Sequence, residues 1–339
     1  MKLASLKASP KAGSKESGRD GCLAVVSRDL TSAVRVADIA PTLQRALDDW
    51  QQCEPRLRDV YDRLCRGDMP QAFAFDPGAC MAPLPRAYHW VDGSAYLVHV
   101  ELVRKARGAQ VPESFYREPL VYQGGSDDFL GPTDDIVAAR EDMGIDLEAE
   151  VAVITDDVPM GTRSSDAARH IKLVTLANDV TLRNLISDEL AKGFGFYVAK
   201  PATAFAPVAV TPDELGDAWD GCKLSLPLVS HVRGEELGRP NAGRDLTFTF
   251  CELIQHVSQS RNLGAGTVIG SGTVANRDVD RVGSSCLAEK RTLETLRTGR
   301  PQTPFLHFGD RIRIEMFDAS GRSIFGAIDQ RVAPLRRVP

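Results

Sequence analysis

Short apolar runs separated by turn residues dominate the hydrophobic pattern of this chain beyond residue 90. Such runs, rich in Val, Ile and Leu, predict strands, whereas longer stretches with apolar residues near a 3.6-residue period predict helices. We expect strands at 148–154, 171–177, 222–232, 267–272, 310–317 and 323–332, and helices at 94–106, 181–192 and 250–262. The last two strands flank residues 318–321, whose sequence Asp-Ala-Ser-Gly predicts a hairpin turn.

The first part of the chain has a different pattern. Residues 8–21 are rich in Lys, Ser, Gly and Pro and predict a loop or turn between two short strands, the second at 22–26. Apolar residues within 41–66 follow a helical period, and the Pro-rich stretch 71–89 is typical of a linker. We therefore predict a small β-rich N-terminal domain with a helical segment, residues 1–80, and a larger second domain, residues 81–339.

Strands outnumber helices in this pattern, and regular strand–helix–strand alternation is missing from it. The sequence therefore predicts a mostly-β, mixed α+β fold rather than a doubly wound parallel sheet.

The composition narrows the class of protein. The 339 residues are 43% hydrophobic and 26% charged, with a formal net charge of -5, so neither nucleic acid nor an anionic membrane is the expected partner. The N-terminus lacks the apolar segment of a secretory signal. The cysteines are odd in number and scattered, which predicts reduced thiols and a cytoplasmic protein; they stand at 22, 53, 65, 80, 222, 251 and 286.

The most informative motif is Asp-Leu-Glu-Ala-Glu at 146–150. In a strand, Glu148 and Glu150 point to the same side, roughly 7 Å apart. Two adjacent carboxylates in an apolar strand repel each other and lose hydration, and a divalent cation would remove both costs. A half-exposed strand with a solvated acidic edge is the alternative.

Other polar residues stand at the borders of apolar segments. Asp179 follows the predicted strand 171–177, where it would reach a site at the strand end or cap a helix. Lys200, in an apolar segment, either extends to solvent or faces an acid. Asp92 would cap the helix containing His99, and that histidine is either a core residue or a functional one.

Taken together, these motifs give the chain a recognisable order. Residues 88 to 335 resemble the fumarylacetoacetate hydrolase family, and the seven-residue interval from Asp92 to His99 resembles its full-length fumarylacetoacetase branch. The resemblance rests on the 146–150 motif, Asn-Asp at 178–179 followed by Arg183, Lys200, Ser-Gly-Thr at 271–273, Gly-Ser at 283–284 with a following acid, and Phe-Gly at 325–326.

The resemblance implies a role for each matching residue. Asp92, Glu148, Glu150 and Asp179 would bind Mg²⁺ or Ca²⁺, with Mn²⁺ as an alternative. The other implied residues act on water or substrate: His99 as the base that activates water, Glu289 as its supporting acid, Lys200 and Arg183 as oxyanion-stabilising charges, and Tyr122, Thr273 and Arg104 as substrate contacts. It also implies a homodimer. Separately, the Pro and Gly residues within 107–145 predict a lid or substrate loop.

The sequence departs from the family pattern at three places. Glu289 stands slightly farther from Gly283-Ser284 than expected, with Ala288 at the nearer place, so either one residue is inserted or the pair with histidine is altered. A family glutamine is replaced near Leu185 and Ile186. Arg104 and Arg107 are both candidates for a family arginine.

Three functional hypotheses follow. The first is a metal-dependent hydrolase that cleaves a carbon–carbon bond of a 1,3-diketo acid, with fumarylacetoacetate, from tyrosine and other aromatic amino-acid breakdown, as the expected substrate. The second is a lyase or isomerase of the same scaffold, acting on 2-oxo or 2-hydroxydienoate acids as a decarboxylase, hydratase or tautomerase. The third is a metal-stabilised scaffold without activity.

Overall fold

The computed structural model describes residues 1–7, 18–106 and 110–336. Most of the predicted 8–21 loop lies outside the described residues, as does Arg107. None of the described helices combines the length and apolarity that a bilayer crossing requires.

The described residues form short strands and mostly short helices. The strands are β1 (Lys2–Leu6), β2 (Cys22–Val26), β3 (Ser32–Arg35), β4 (Phe73–Ala74), β5 (Trp90–Gly93), β6 (Val121–Gln123), β7 (Ile136–Ala138), β8 (Ile145–Asp146), β9 (Ala149–Thr155), β10 (Ile171–Asn178), β11 (Thr181–Leu182), β12 (Ala204–Phe205), β13 (Ala209–Val210), β14 (Leu228–Val232), β15 (Glu235–Gly238), β16 (Val268–Gly270), β17 (Arg311–Met316) and β18 (Ile328–Pro334). The α-helices are α1 (Leu43–Asp48), α2 (Trp50–Cys65), α3 (Leu97–Ala106), α4 (Ser164–Ala167), α5 (Ile186–Leu190), α6 (Phe250–Val257), α7 (Val279–Val282) and α8 (Leu287–Thr298). Short 3₁₀ segments lie at Pro77–Ala79, Glu113–Tyr116, Glu141–Met143, Ala168–His170, Arg183–Leu185 and Pro212–Ala218, the last with a kink at Gly216.

An eleven-stranded sheet runs through the molecule in the order β4-β3-β2-β1-β13-β10-β9-β16-β5-β6, with β12 also paired to β10. The N-terminal strands enter this sheet through β1, which pairs antiparallel with β13 at Lys2↔Val210 and Leu3↔Ala209. The prediction of a strand-rich, mixed α+β fold is therefore confirmed.

The long central strands β9 and β10 carry the apolar runs seen in the sequence. Every residue of β9 is buried, as expected for a strand covered on both faces. The two strands pair antiparallel, with Glu150 opposite Ala177 and Ala149 opposite Asn178. This register brings the carboxyl end of β10 beside the start of β9.

A second, five-stranded sheet, in the order β15-β14-β17-β18-β7, covers one face of the first. Its apolar residues, such as Leu228, Ile314 and Ile328, belong to the same core cluster as Val151 and Val153 of β9. Strands β17 and β18 pair antiparallel around the 318–321 turn, so the predicted hairpin is confirmed.

Several predicted boundaries are wrong for local reasons. The helical region 41–66 is divided at Asp49, whose φ of -137° is not helical. The predicted strand 222–232 begins only at Leu228, because the Asp220 carboxylate accepts the backbone N–H groups of Cys222 and Lys223 and holds a turn there. The helix expected at 250–262 ends at Val257, and only α5 within 181–192 is α-helical.

The prediction that all cysteines are reduced is wrong for one pair. Cys222 and Cys251 form a disulfide that joins the 220–224 turn to the first turn of α6. Sequence spacing did not reveal it, because the residues are 29 positions apart and meet only through tertiary packing.

Candidate metal centre and active site

Three buried carboxylates converge across one part of the large sheet, where the strands run in the order β10-β9-β16-β5. Asp92 belongs to β5, Glu150 to β9, and Asp179 follows β10; one oxygen from each lies within 4.8 Å of the others. Asp92 does not cap α3, as its sequence position suggested; it accepts the backbone N–H of Gly272 at 3.0 Å.

Strand β16 lies between β5 and β9 and allows this convergence. Gly270 pairs with Asp92 on one side and with Ala152 on the other. A Cβ atom at Gly270 would lie 2.4 Å from Asp92 Oδ1 and 2.9 Å from Glu150 Oε2, so any larger residue would push the carboxylates apart. The sequence alone does not reveal this role, because only the strand pairing shows what faces the glycine.

The cluster of Asp92, Glu150 and Asp179 fits a hard divalent cation. Burial, and then the Asp179 charge, raise the pKa of Asp92 to about 8. Burial, and then Asp92 and Asp179, raise the pKa of Glu150 well above its usual value. Neither Glu150 carboxylate oxygen has a hydrogen-bond partner among the described residues. Oxygen ligands with unsatisfied lone pairs suit Mg²⁺, Ca²⁺ or Mn²⁺.

Glu148, the fourth predicted ligand, is not part of this group of three. Its Oε2 lies 2.6 Å from Lys200 Nζ, and its Oε1 lies 2.7 Å from Arg183 Nη2. Burial opposes its charge, but Arg183 and then Lys200 outweigh burial and hold the pKa of Glu148 at about 2. The structure thus buries both glutamates, and the solvated acidic edge is excluded.

Lys200 faces acids rather than solvent. Its Nζ donates to Glu148 Oε2 at 2.6 Å, to Asp179 Oδ2 at 2.6 Å and to Thr181 Oγ1 at 2.8 Å. An ammonium group has three hydrogens, and all are used in this arrangement. In this state Lys200 compensates carboxylate charge, and an oxyanion would have to displace one of these acceptors to reach it.

Asp179 is fully buried and serves the site rather than a helix terminus. Tyr122 Oη donates to its Oδ2 at 2.6 Å, and Thr203 Oγ1 donates to its Oδ1 at 2.8 Å. Burial, and then the Asp179 charge, raise the pKa of Tyr122 well above its usual value, so this phenol keeps its proton and remains a donor. Thr203 was missed as a site residue, although it lies only three positions after Lys200.

His99 and Glu289 come together from two helices, α3 and α8. His99 Nδ1 lies 3.6 Å from Glu289 Oε2; the side chain of His99 is 18% exposed and that of Glu289 only 3%. The neighbouring Ala288 instead donates its backbone N–H to Asp146. Glu289 therefore faces His99 in spite of its greater distance from Gly283-Ser284 in the sequence.

Asp146 is a site residue to which the sequence assigned no role. Its fully buried carboxylate accepts the backbone N–H groups of Leu287 at 2.8 Å and Ala288 at 2.9 Å, at the start of α8. It also accepts a hydrogen bond from Arg183 Nε at 2.8 Å, and Arg183 in turn forms an ion pair with Glu148. One carboxylate thus connects the helix carrying Glu289 to the arginine beside the acid cluster.

Some of these side chains line one cavity of about 490 Å³: Asp92, His99, Glu148, Arg183 and Lys200. Its wall includes Arg104, Tyr122 and Thr273, the residues expected to contact substrate. Arg104 is held by a hydrogen bond to the Gln110 carbonyl and by stacking over Phe115. Further wall residues come from the expected substrate loop and from the 186–196 segment: Phe115, Leu120, Val121, Ile186, Leu190 and Phe196.

Comparisons with known proteins agree with this architecture. The family profile described as fumarylacetoacetate (FAA) hydrolase C-terminal matches residues 88–333, and the profile fumarylacetoacetase N-terminal domain 2 matches residues 1–86. Among curated proteins, the human mitochondrial oxaloacetate tautomerase FAHD2B is 27% identical over 241 residues, covering 69% of this chain and 70% of that protein.

Solved structures share the fold at low sequence identity. Maleylpyruvate hydrolase from Sphingobium sp. SYK-6, in complex with manganese (II) ion and pyruvate, has a TM-score of 0.63 and 17% identity, covering 99% of this chain and 100% of that one. The 2-hydroxyhepta-2,4-diene-1,7-dioate isomerase from Mycobacterium marinum has a TM-score of 0.53 and 15% identity, covering 79% and 83%. At these identities the likeness is one of fold.

Proposed function

The chain belongs to the fumarylacetoacetate hydrolase family, and from that membership we propose that it is a metal-dependent hydrolase cleaving a carbon–carbon bond of a 1,3-diketo acid. Fumarylacetoacetate, giving fumarate and acetoacetate, is the first substrate to test. The observation that carries the proposal is the His99–Glu289 pair, because His99 lines the same cavity as Asp92 of the acid cluster.

Hydrolysis of such a bond requires an activated water and a place for negative charge on the departing carbon fragment. His99 would take a proton from water, and Glu289 would orient the ring and stabilise its charged form. A divalent cation held by Asp92, Glu150 and Asp179 would polarise the diketone oxygens. Glu148 joins these ligands in the proposal if Lys200 or Arg183 turns away from it.

The remaining residues would hold the substrate and balance charge. Lys200 and Arg183 keep Glu148 ionised and would supply positive charge beside the reacting carbonyl groups. Arg104, Tyr122 and Thr273 line the cavity where the carboxylates of a diketo acid would bind. No organic cofactor is needed for this chemistry.

A second candidate is a tautomerase or isomerase acting on a 2-oxo acid such as oxaloacetate. Two human relatives with this printed activity each match 69% of the chain. The engagement of all three Lys200 hydrogens also favours it, because tautomerisation only relocates a proton and releases no carbon fragment whose charge must be stabilised. Both candidates use the same metal-binding acids.

The substitution His99→Asn separates these candidates. We expect it to lower kcat for hydrolysis of fumarylacetoacetate or an acylpyruvate by ~10²–10⁴, the usual contribution of a general base. Activity is followed by loss of substrate absorbance with Mg²⁺, Mn²⁺ or Ca²⁺ present. His307→Asn is the matched control, because His307 is an exposed histidine away from the cavity. Wild-type protein that interconverts oxaloacetate tautomers but cleaves no diketo acid would replace the hydrolase by the second candidate.

The identity of the ion, the homodimer and a place in tyrosine breakdown are proposals of the same kind, drawn from the family. A cytoplasmic location stays a proposal, and the Cys222–Cys251 disulfide removes part of the cysteine argument for it. Metal preference follows from activity after dialysis against EDTA and readdition of Mg²⁺, Ca²⁺ or Mn²⁺. The oligomeric state follows from light scattering coupled to gel filtration.

A further inference from the structure

A second group of potential metal ligands lies beside the acid cluster. His99, Cys286 and Glu289 each place one ligand atom within 4.8 Å of the other two. The group shares no residue with Asp92, Glu150 and Asp179. Cys286 takes no part in the reaction proposed above.

Local structure places all three ligands on rigid elements. Cys286 is the N-cap of α8, and its Sγ accepts the backbone N–H of Glu289 at 3.4 Å, so the thiol and the carboxylate lie on the first turn of one helix. His99 comes from α3, which packs against α8. The three ligands are therefore fixed relative to one another without a contribution from loops.

Two of the ligand atoms lack a hydrogen-bond partner among the described residues. Glu289, 2% exposed, leaves Oε2 without one, and His99 leaves Nδ1 without one. The two atoms face each other at 3.6 Å, too far for a hydrogen bond. Bond lengths of about 2.0–2.3 Å in a tetrahedral zinc site place ligand atoms about 3.3–3.8 Å apart, which matches this spacing.

The donor atoms of the two groups select different ions. The first group offers only carboxylate oxygens, which suit hard cations. Imidazole, thiolate and carboxylate together are the ligands of Zn²⁺ and Co²⁺. His99 also lines the 490 Å³ cavity, which leaves a fourth position open to water.

We propose that His99, Cys286 and Glu289 form a second, inhibitory metal site for Zn²⁺ or a chemically similar ion. Binding joins the ion to one imidazole nitrogen, one carboxylate oxygen and the Cys286 sulfur, whose proton is released to solvent. The ion occupies His99 and separates it from Glu289, so water activation stops. Formation of the site is independent of the proposed function, and only the inhibition depends on it.

The surrounding charges permit a cation there. Arg183, the nearby positive group, is neutralised by contacts with Asp146 and Glu148. Asp146 adds a second buried negative charge beside Cys286. Burial, and then the Asp146 charge, raise the pKa of the Cys286 thiol well above its usual value, so the sulfur holds its proton until an ion replaces it. Once formed, the thiolate lies at the N-terminus of a helix, where the backbone N–H groups stabilise negative charge.

Cobalt(II) is the probe that tests the site, because a Co²⁺–thiolate bond gives a near-ultraviolet charge-transfer band that carboxylate ligands do not give. Protein first saturated with Mg²⁺ is titrated with Co²⁺. We expect a saturable band in wild type and its loss in Cys286→Ser, since serine preserves the helix cap but supplies no thiolate. Cys65→Ser, which removes an exposed thiol far along the chain, should keep the band.

Inhibition is measured in parallel with Zn²⁺ under the same Mg²⁺ excess. Cys286→Ser should retain basal activity and require at least ~10-fold more Zn²⁺ for half inhibition. Metal affinity falls by at least this factor even when only a residue that hydrogen-bonds to a ligand is replaced. Glu289→Gln should weaken the Co²⁺ band, which tests the carboxylate ligand without an activity measurement. An unchanged band in Cys286→Ser, or no band in wild type, would overturn the proposal whether or not the enzyme hydrolyses diketo acids.

Discussion

Glu150 is the least compensated acidic residue of the site. Its carboxylate is fully buried beside two other acids, and neither oxygen has a hydrogen-bond partner among the described residues. Lys200 and Arg183 contact Glu148 and leave Glu150 without a cationic neighbour. A divalent ion is the group that would satisfy it.

Replacement of Glu150 by Gln should therefore separate stability from metal binding. We expect the metal-free variant to be more stable than wild type by about 1–3 kcal/mol, because the amide can donate to the neighbouring carboxylates. Mg²⁺ or Mn²⁺ should raise the Tm of wild type and leave that of the variant unchanged. Glu113→Gln, at an exposed position, is the control. A variant that is less stable than wild type in EDTA would contradict this account.

The acid cluster also predicts how stability depends on pH. Asp92 has a pKa of about 8 in the folded protein and about 3.9 when unfolded, so the folded state holds more protons between these values. In EDTA, the free energy of unfolding should fall as pH rises from about 4 to about 8. The shift of Glu148 has the opposite sign, but its stabilisation is complete once the pH exceeds about 4.5.

Urea unfolding at pH 5 and pH 8, with EDTA or with excess Mg²⁺, measures this dependence. Asp92→Asn should flatten the profile in EDTA, and Mg²⁺ should reduce the loss at pH 8 in wild type. Equal stability at both pH values in EDTA would show that Asp92 ionises normally in the fold.

At this scale the sequence identified the residues whose chemistry is visible in their spacing. The 146–150 motif and the Asp92–His99 interval led to Asp92, His99 and Glu148, which line one cavity. Gly270 and Thr203 could not be found, because their roles depend on which strand or acid lies opposite. The spacing of Glu289 also did not decide whether it pairs with His99. Only the packing of α3 on α8 shows that the two side chains meet.

At the scale of elements, Asp146 connects a strand, a helix and an arginine. It lies in β8, which pairs with β11 at Thr181, and this pairing positions Arg183 next to it. The start of α8 is fixed to the same carboxylate by two backbone N–H groups. The position of Glu289 on that helix depends on this junction.

Asp146→Asn should weaken this junction while leaving the size of the side chain almost unchanged. An asparagine can still accept one N–H bond but leaves Arg183 partly unpaired, so we expect a loss of up to about 3–5 kcal/mol, the usual cost of breaking a buried ion pair. Chemical denaturation measures it. Asp142→Asn, an exposed acid four residues earlier, should change stability by no more than about 0.5 kcal/mol.

The Cys222–Cys251 disulfide supports a second junction, between the 220–224 turn and α6. A bridge across 29 residues is worth about 3–4 kcal/mol in the chain-entropy account. Cys222→Ser with Cys251→Ser should lower the free energy of unfolding by that amount, and dithiothreitol should lower it in wild type. Cys65→Ser is the control, and a disulfide-free variant as stable as wild type would contradict the expectation.

The predicted elements agree best with the structure where the apolar runs are long. Strands β9, β10 and β17 lie close to their predicted ranges, because a buried strand leaves an unbroken apolar signal. The observed strand within 222–232 is shorter than predicted, because the Asp220 turn and the Cys222–Cys251 disulfide fix its first residues. Within 181–192 the structure has a short strand, a 3₁₀ turn and a short α-helix in place of one helix.

At the scale of the whole molecule, the first strands and the site-bearing strands form one sheet. Strand β1 pairs with β2 on one side and with β13 on the other, and β13 pairs with β10, whose end carries Asp179. The sequence indicated a separate N-terminal domain from composition and Pro content. Composition cannot show that hydrogen bonding continues across such a boundary.

This continuity limits how the protein can be recombined. Residues 1–86 and 88–333 match separate family profiles, which suggests parts that could be exchanged between relatives. A foreign first segment, however, would have to present a strand edge in register with Ala209 and Val210, or leave their backbone groups unpaired. Chimeras should therefore be joined according to strand register at β13 rather than at the Pro-rich stretch between the profiles.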